Sequence, residues 1–205
     1  MTDTTNTACP PANLQHAIDV FRRHAFAAIL TGEAPSLADL AEAASREAVG
    51  VAQAIAWLEA RGALQRDGDH LIGAHGLTCR PTPHAVTLAA RTVHTWCAFD
   101  AVAIPVALSA TTQATTACPT CHSSLIVDIH DGNLPANADP VLWLPAGECR
   151  NMIADFCAHA NLFCNHDHLT TWRQDAGDPS GRMLHLGEVP AMARAEWGDI
   201  AHTLR

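Results

Sequence analysis

Residues 45–73 read SREAVGVAQAIAWLEARGALQRDGDHLIG, and this stretch decides the class of fold. Val49, Val51, Ile55, Leu58 and Leu64 recur at helical spacing, so a helix is expected to start at Ser45 and to close at Arg61-Gly62. The turn signal Asp67-Gly68-Asp69 then sits between two short apolar-polar runs, Ala63-Leu64-Gln65-Arg66 and His70-Leu71-Ile72-Gly73, which predicts a hairpin. Upstream, Leu14, Ile18, Phe21, Ala25 and Ile29 mark an amphipathic helix ended by Thr31-Gly32, and Ser36 is a natural N-cap for a short helix through Ala44. Helices followed by a hairpin make a winged-helix-like unit over residues 14–80.

Downstream the character changes. Residues 77–92 read as one strand whose start is bent by Pro81 and Pro83. Residues 96–108 have helical spacing that Pro105 should kink or end. Residues 111–117 and 124–129 read as strands around the turn Cys118-Pro119-Thr120-Cys121, and another strand lies near residues 141–144. A helix is expected around residues 169–173 and a last amphipathic one over residues 192–204. The whole is therefore an α+β chain: a tail over 1–13, the winged-helix-like unit, and a mixed α/β domain over 81–205.

Composition narrows the function. All 12 basic residues are arginine and the net charge is -9, a poor match to nucleic acid, which needs a concentrated positive face. Within residues 45–64 Arg46 and Arg61 are offset by Glu47 and Glu59, so the second helix of the unit is not a DNA-reading helix by charge. The tail has neither a basic nor an apolar signal-like region, and the apolar run 96–110 is interrupted by Asp100 and Pro105, so a cytoplasmic protein without a membrane span is expected. Eight cysteines in that setting point to thiolate or metal chemistry rather than to disulfides.

Three groups could carry that chemistry. Cys97 and Asp100 are one helical turn apart, where a helix N-terminus favours a thiolate and the carboxylate can hold a shared proton. Cys118-Pro119-Thr120-Cys121-His122 has the spacing of a zinc knuckle, which would need two more ligands from among Cys149, Cys157, His159, Cys164, His166 and His168. It is also the spacing of a redox pair, although the strand-helix-strand context of such pairs is missing. Residues 155–168, holding Cys157, His159, Cys164, His166 and His168, form the densest run of soft and borderline ligands, as suits a thiophilic metal.

On these residues the chain resembles the organomercurial (alkylmercury) lyase family. Trp96-Cys97-Ala98-Phe99-Asp100 is similar to the family's Trp-Cys-Ala-Leu-Asp element, and Phe156-Cys157-Ala158-His159 to its second cysteine element. Trp172 falls where the family has a tryptophan, and Cys118 where it has a structural cysteine; the likeness spans residues 36–204. It implies that Cys97 captures R-Hg, that Cys157 adds a second sulfur, and that Asp100 delivers a proton to carbon, leaving Hg(II) between the two sulfurs. No resident cofactor is implied; cellular thiols, and a mercuric reductase downstream, would take the product. The cavity is expected to be apolar, with Phe99, Ile104, Leu108 and Phe163 as lining residues. Ala158 stands where some members carry a further cysteine, and the resemblance leaves Cys9, Cys79, Cys121, Cys149 and Cys164 without a role, apart from a relay of mercury through Cys164 or Cys9. Two other functions use the same residues: a noncatalytic binder of thiophilic metal, and a winged-helix metal-responsive regulator.

Overall fold

The structure is a computed structural model that describes residue 10 and residues 12–88, 90–135 and 139–204; Cys9 and nearly all of the expected tail lie outside the described residues. The first helix, α1 (Gln15–Leu30), buries Ala17, Ile18, Phe21, Ala25, Phe26 and Ile29, the stripe read from its spacing. In α2 (Leu37–Ser45) the Ser36 hydroxyl accepts the Asp39 N–H, satisfying one of the amides a helix start leaves open. The next helix, α3 (Val51–Ala60), begins later than expected. Gly50 holds φ +88°, a left-handed conformation that a helix cannot include, and Val49 before it is 94% exposed and so not part of a buried stripe. Gly62, at φ +58°, ends this helix region and turns the chain into the hairpin.

That hairpin, β1 (Leu64–Asp67) and β2 (His70–Ala74), is one edge of a seven-stranded sheet. It continues through β3 (Leu77–Thr78), β5 (Arg91–Thr95), β4 (Ala85–Leu88), β6 (Thr112–Ala117) and β7 (Ser124–Ile129), all pairs antiparallel. The expected single strand over 77–92 is thus three strands. Pro81 and Pro83 occupy the excursion between β3 and β4, and the chain reverses after Leu88 to pair β4 with β5.

A three-stranded antiparallel sheet, β10 (Gly181–His185), β8 (Val141–Pro145) and β9 (Asn161–Phe163), forms the other layer. Between the elements lies α4 (Ala98–Ala107), all of whose residues are buried. Pro105 does not end it: its ring fixes a φ that is itself helical, and the helix runs on to Ala107 without the bond that proline cannot donate to the Ala101 carbonyl. The last helix, α6 (Val189–Thr203), packs along α4 and also meets α1, burying Val189, Ala193, Trp197 and Ile200, and α5 (His166–Asp175) follows β9. Among the described residues no helix is long and apolar enough to cross a membrane.

Candidate active site

Cys97 is the N-cap of α4. Its backbone is extended, its sulfur accepts the Asp100 N–H at 3.4 Å, and its carbonyl accepts the Thr95 hydroxyl at 3.0 Å. The strand before it is tied to the β2–β3 turn by the Trp96 N–H, which donates to the Gly76 carbonyl at 2.9 Å. Cys157 arrives from the other layer, at the end of a single π-helical turn (Met152–Cys157). The Asn151 side chain caps that turn by accepting the Ala154 N–H, and the Asp155 carboxylate accepts the N–H groups of Arg150 and Asn151 at 2.7 Å. Such turns are rare overall but frequent at functional sites, and here the turn stands alone rather than within a longer helix. The two segments are stitched where the Ala98 N–H meets the Ala160 carbonyl at 3.3 Å.

These elements bring Cys97, Asp100 and Cys157 together: both sulfurs and a carboxylate oxygen lie within 4.8 Å of one another, all three residues buried. The Cys157 sulfur is 3.9 Å from Asp100 Oδ2. Gly76 makes room for the carboxylate. A Cβ at that position would sit 3.0 Å from Asp100 Cγ and 3.1 Å from Ile104 Cδ1, and the backbone there holds φ +90°. Asp100 and Cys157 open onto a cavity of about 390 Å³, walled by Trp96, Phe99, Met152, Phe156, Met192 and Trp197, with Arg22, His75, Cys149 and Glu196 adding polar or thiol groups. Trp197 is held by its Nε1–H, which donates to the His75 carbonyl at 3.1 Å, and it stacks obliquely on Phe99 at 5.9 Å between ring centroids.

Burial sets the charge state. The Cys97 thiol is pushed well above its ordinary range by desolvation first, then by its contact with Cys157 and the nearby Asp100 charge. Of the two opposing influences read from sequence, the helix N-terminus is the weaker: the Ala98 N–H is spent on Ala160, and among the described residues the Asp100 N–H is the amide that reaches the sulfur, too little to offset burial. Asp100 is raised to about 7, chiefly by desolvation against hydrogen bonding from Cys97, with Glu196 adding repulsion. Its carboxyl and carboxylate forms coexist near neutrality. His75, buried beside the cavity, is lowered to about 3 by burial and by Arg22, so it is neutral.

Of the expected lining residues, Phe99 faces the cavity. Ile104 is in the core two turns along α4, Leu108 lies beyond that helix, and Phe163 packs with Trp172, Trp143 and Cys118 in a separate cluster. Cys164 is likewise away from the cavity, beside Cys121, and Cys79 packs on the edge of the main core, donating toward the Glu33 carbonyl at 3.5 Å. Cys149, His75, Gly76, Glu196 and Trp197 reach the site from segments that carry no local motif, so sequence spacing could not single them out.

The family model for MerB, alkylmercury lyase, matches residues 77–198, a span that holds Cys97, Asp100 and Cys157. The chain belongs to the alkylmercury lyase family. An alkylmercury lyase of Pseudomonas putida is 26% identical over a 140-residue alignment that covers 62% of this chain and 65% of that relative, so the match spans just under two thirds of the relative's length. The crystal structure of the mercury-bound form of MerB2 superposes with a TM-score of 0.80 at 20% identity, over 91% of this chain and 92% of that one. This alkylmercury lyase family member therefore shares the MerB2 fold over a longer stretch than the family match covers.

Proposed function

We propose that the chain is an organomercurial lyase that cleaves the carbon–mercury bond by protonolysis, giving a hydrocarbon and Hg(II) for mercury detoxification. The observation that carries this reading is the convergence of two buried thiols and a carboxyl group of raised pKa at the inner end of an apolar cavity. Pure sequestration of a soft ion would use the thiols and have no need of the acid.

The chemistry follows from the resting protonation. When R-Hg-X meets the Cys97 sulfur, mercury makes the thiol acidic, its proton passes to the Asp100 carboxylate, and X⁻ leaves. Cys157 then adds as the second sulfur, which loads electron density onto the carbon. Asp100, now a carboxylic acid, donates its proton to that carbon as the C–Hg bond breaks, and R-H departs. Asp100 returns to carboxylate, and the Cys157 proton leaves to it or to solvent. The balance is R-Hg-X plus two thiols giving R-H, HX and Hg(II) held by Cys97 and Cys157.

Release of Hg(II) requires exchange with cellular thiols, and a mercuric reductase is a fitting downstream acceptor in the cytoplasm. The aromatic and methionine walls suit hydrophobic organic groups. In the same reading, residues 14–80 and 81–205 are two units that both contribute to the cavity, through Arg22, Ala63 and His75 on one side and Asp100 and Cys157 on the other. The test is benzene release from phenylmercury with excess thiol, comparing wild type with Cys97→Ser, Cys157→Ser and Asp100→Ala. Turnover by wild type and loss of most activity in all three variants is expected. Tight binding without benzene from wild type would reduce the chain to a mercury binder.

A further inference from the structure

A second set of soft ligands lies away from the cavity. Cys118, Cys121, Cys164 and His168 each offer one ligand atom, and these four atoms all lie within 4.8 Å of one another. None of the four residues lines the cavity. Cys121 Sγ is 3.5 Å from Cys164 Sγ, and Cys118 Sγ is 3.5 Å from His168 Nδ1. A tetrahedral zinc ion with bonds of about 2.3 Å to sulfur and about 2.05 Å to nitrogen sets its ligands about 3.8 Å apart for a sulfur pair and about 3.5 Å apart for sulfur and nitrogen. Both observed edges fall close to these values. A disulfide, in contrast, needs its sulfurs about 2.05 Å apart.

The frame around the four atoms is fixed by bonds that do not involve them as ligands. The β6–β7 turn closes as a knuckle, with the Cys118 N–H donating to the Ser123 carbonyl at 3.0 Å and the His122 N–H to the Cys118 carbonyl at 2.8 Å. His122 takes φ +59° to complete it. Cys164 follows β9 directly, and His168 stands in the first turn of α5, where its N–H is received by the Asn165 side chain at 2.9 Å. The Thr120 hydroxyl donates to the His168 carbonyl at 2.7 Å, which ties the knuckle to that helix. Two short-spaced pairs, Cys-x-x-Cys and Cys-x-x-x-His, are thereby presented face to face.

We propose that Cys118, Cys121, Cys164 and His168 form a closed Cys3His site for a structural zinc ion, separate from the thiol pair in the cavity. Three thiolates and an imidazole select zinc over hard cations, and four protein ligands leave no open position for catalysis. The ion joins the seven-stranded sheet, through the β6–β7 turn, to the three-stranded layer, through the β9–α5 corner. Because β9 begins at Asn161, shortly after Cys157, this cross-link also braces the segment that carries one cavity thiol. The site stands on its own geometry, whether or not the cavity cleaves organomercurials.

The test is metal analysis of the full-length chain, purified under reducing conditions and dialysed, in wild type, the Cys97→Ser/Cys157→Ser double variant, Cys164→Ser and His168→Ala. One zinc per chain in the first two, and a substoichiometric content in the last two, is expected. Cobalt(II) loaded into the emptied wild type should show tetrahedral d–d absorption with thiolate-to-cobalt charge transfer scaled to three sulfurs, which does not depend on any variant folding. Stripping zinc should lower the Tm of wild type, and adding it back should restore the value. Zinc that follows Cys97 and Cys157 instead, a cobalt spectrum without thiolate charge transfer, or a thiol count in denaturant two short through a Cys121–Cys164 disulfide would each overturn the proposal.

Discussion

Replacing Asp100 by asparagine should shift stability in the variant's favour, relative to wild type, as pH rises. Asp100 is 5% exposed, and burial raises its carboxyl from an ordinary 3.8 to about 7. Between those two values the folded chain holds a proton that the unfolded chain has lost. The stabilisation linked to that proton is complete below about pH 4 and is lost as pH rises through about 7. At 1.36 kcal/mol per pKa unit the full span is worth about 4 kcal/mol, of which about 3 kcal/mol falls between about pH 5 and pH 8. Asparagine fills the same space and does not titrate. Urea unfolding of both proteins under reducing conditions should therefore show the stability difference, variant minus wild type, growing by about 3 kcal/mol from about pH 5 to pH 8. Titrating groups remote from Asp100 are common to both and cancel in the difference, and the Cys97 thiol, raised by burial, stays protonated over this range in both. A difference that stays constant over that range would mean that Asp100 titrates like an exposed carboxylate, and the account of the resting site would fall with it.

Three further substitutions probe the frame. Gly76→Ala should cost about 1–2 kcal/mol for a side chain at φ +90° and push on Asp100, lowering Tm by a few degrees and benzene release by about tenfold or more; unchanged turnover would show that the carboxylate tolerates displacement. Trp197→Phe keeps the ring stacked on Phe99 but loses the bond to the His75 carbonyl, so a loss of about 1 kcal/mol in urea unfolding is expected, and a neutral result would mean that water replaces the indole N–H. Ser36→Ala removes the α2 cap and should cost about 1 kcal/mol with no change in benzene release; an effect on turnover alone would contradict a purely structural cap.

Local signals carried much of this molecule. Ser36, the Asp67-Gly68-Asp69 turn and the stripe in α1 state their structure within a few residues, and the structure follows them. Cys97 and Asp100 were legible because an N-cap and its third following residue face each other by helix geometry alone. What escaped depended on distant contacts. The start of α3 is decided by the conformation of Gly50, and the split of 77–92 by pairing of β3 and β4 with β5. The π turn that aims Cys157 has no periodic signature, and β10 is recognisable only beside β8. The knuckle showed two ligands in sequence and six candidates for the rest; only folding brings Cys164 and His168 to it, and leaves Cys149 at the cavity instead.

The charge state of Cys97 likewise depends on the assembled core, and it bears on the proposed chemistry. A helix N-terminus is a local feature that favours a thiolate, whereas burial is a property of the assembled core, and here it prevails. In the proposed reaction a buried thiol beside a carboxyl group raised to about 7 would keep its proton inside the site until mercury, by binding sulfur, releases it to Asp100. In the proposed lyase reaction the proton that ends on carbon would thus be stored where it is used, beside two buried thiols. The arrangement has a cost in stability, since an ionised Asp100 in that core is unfavourable, and the pH dependence of the Asp100→Asn comparison measures that cost directly.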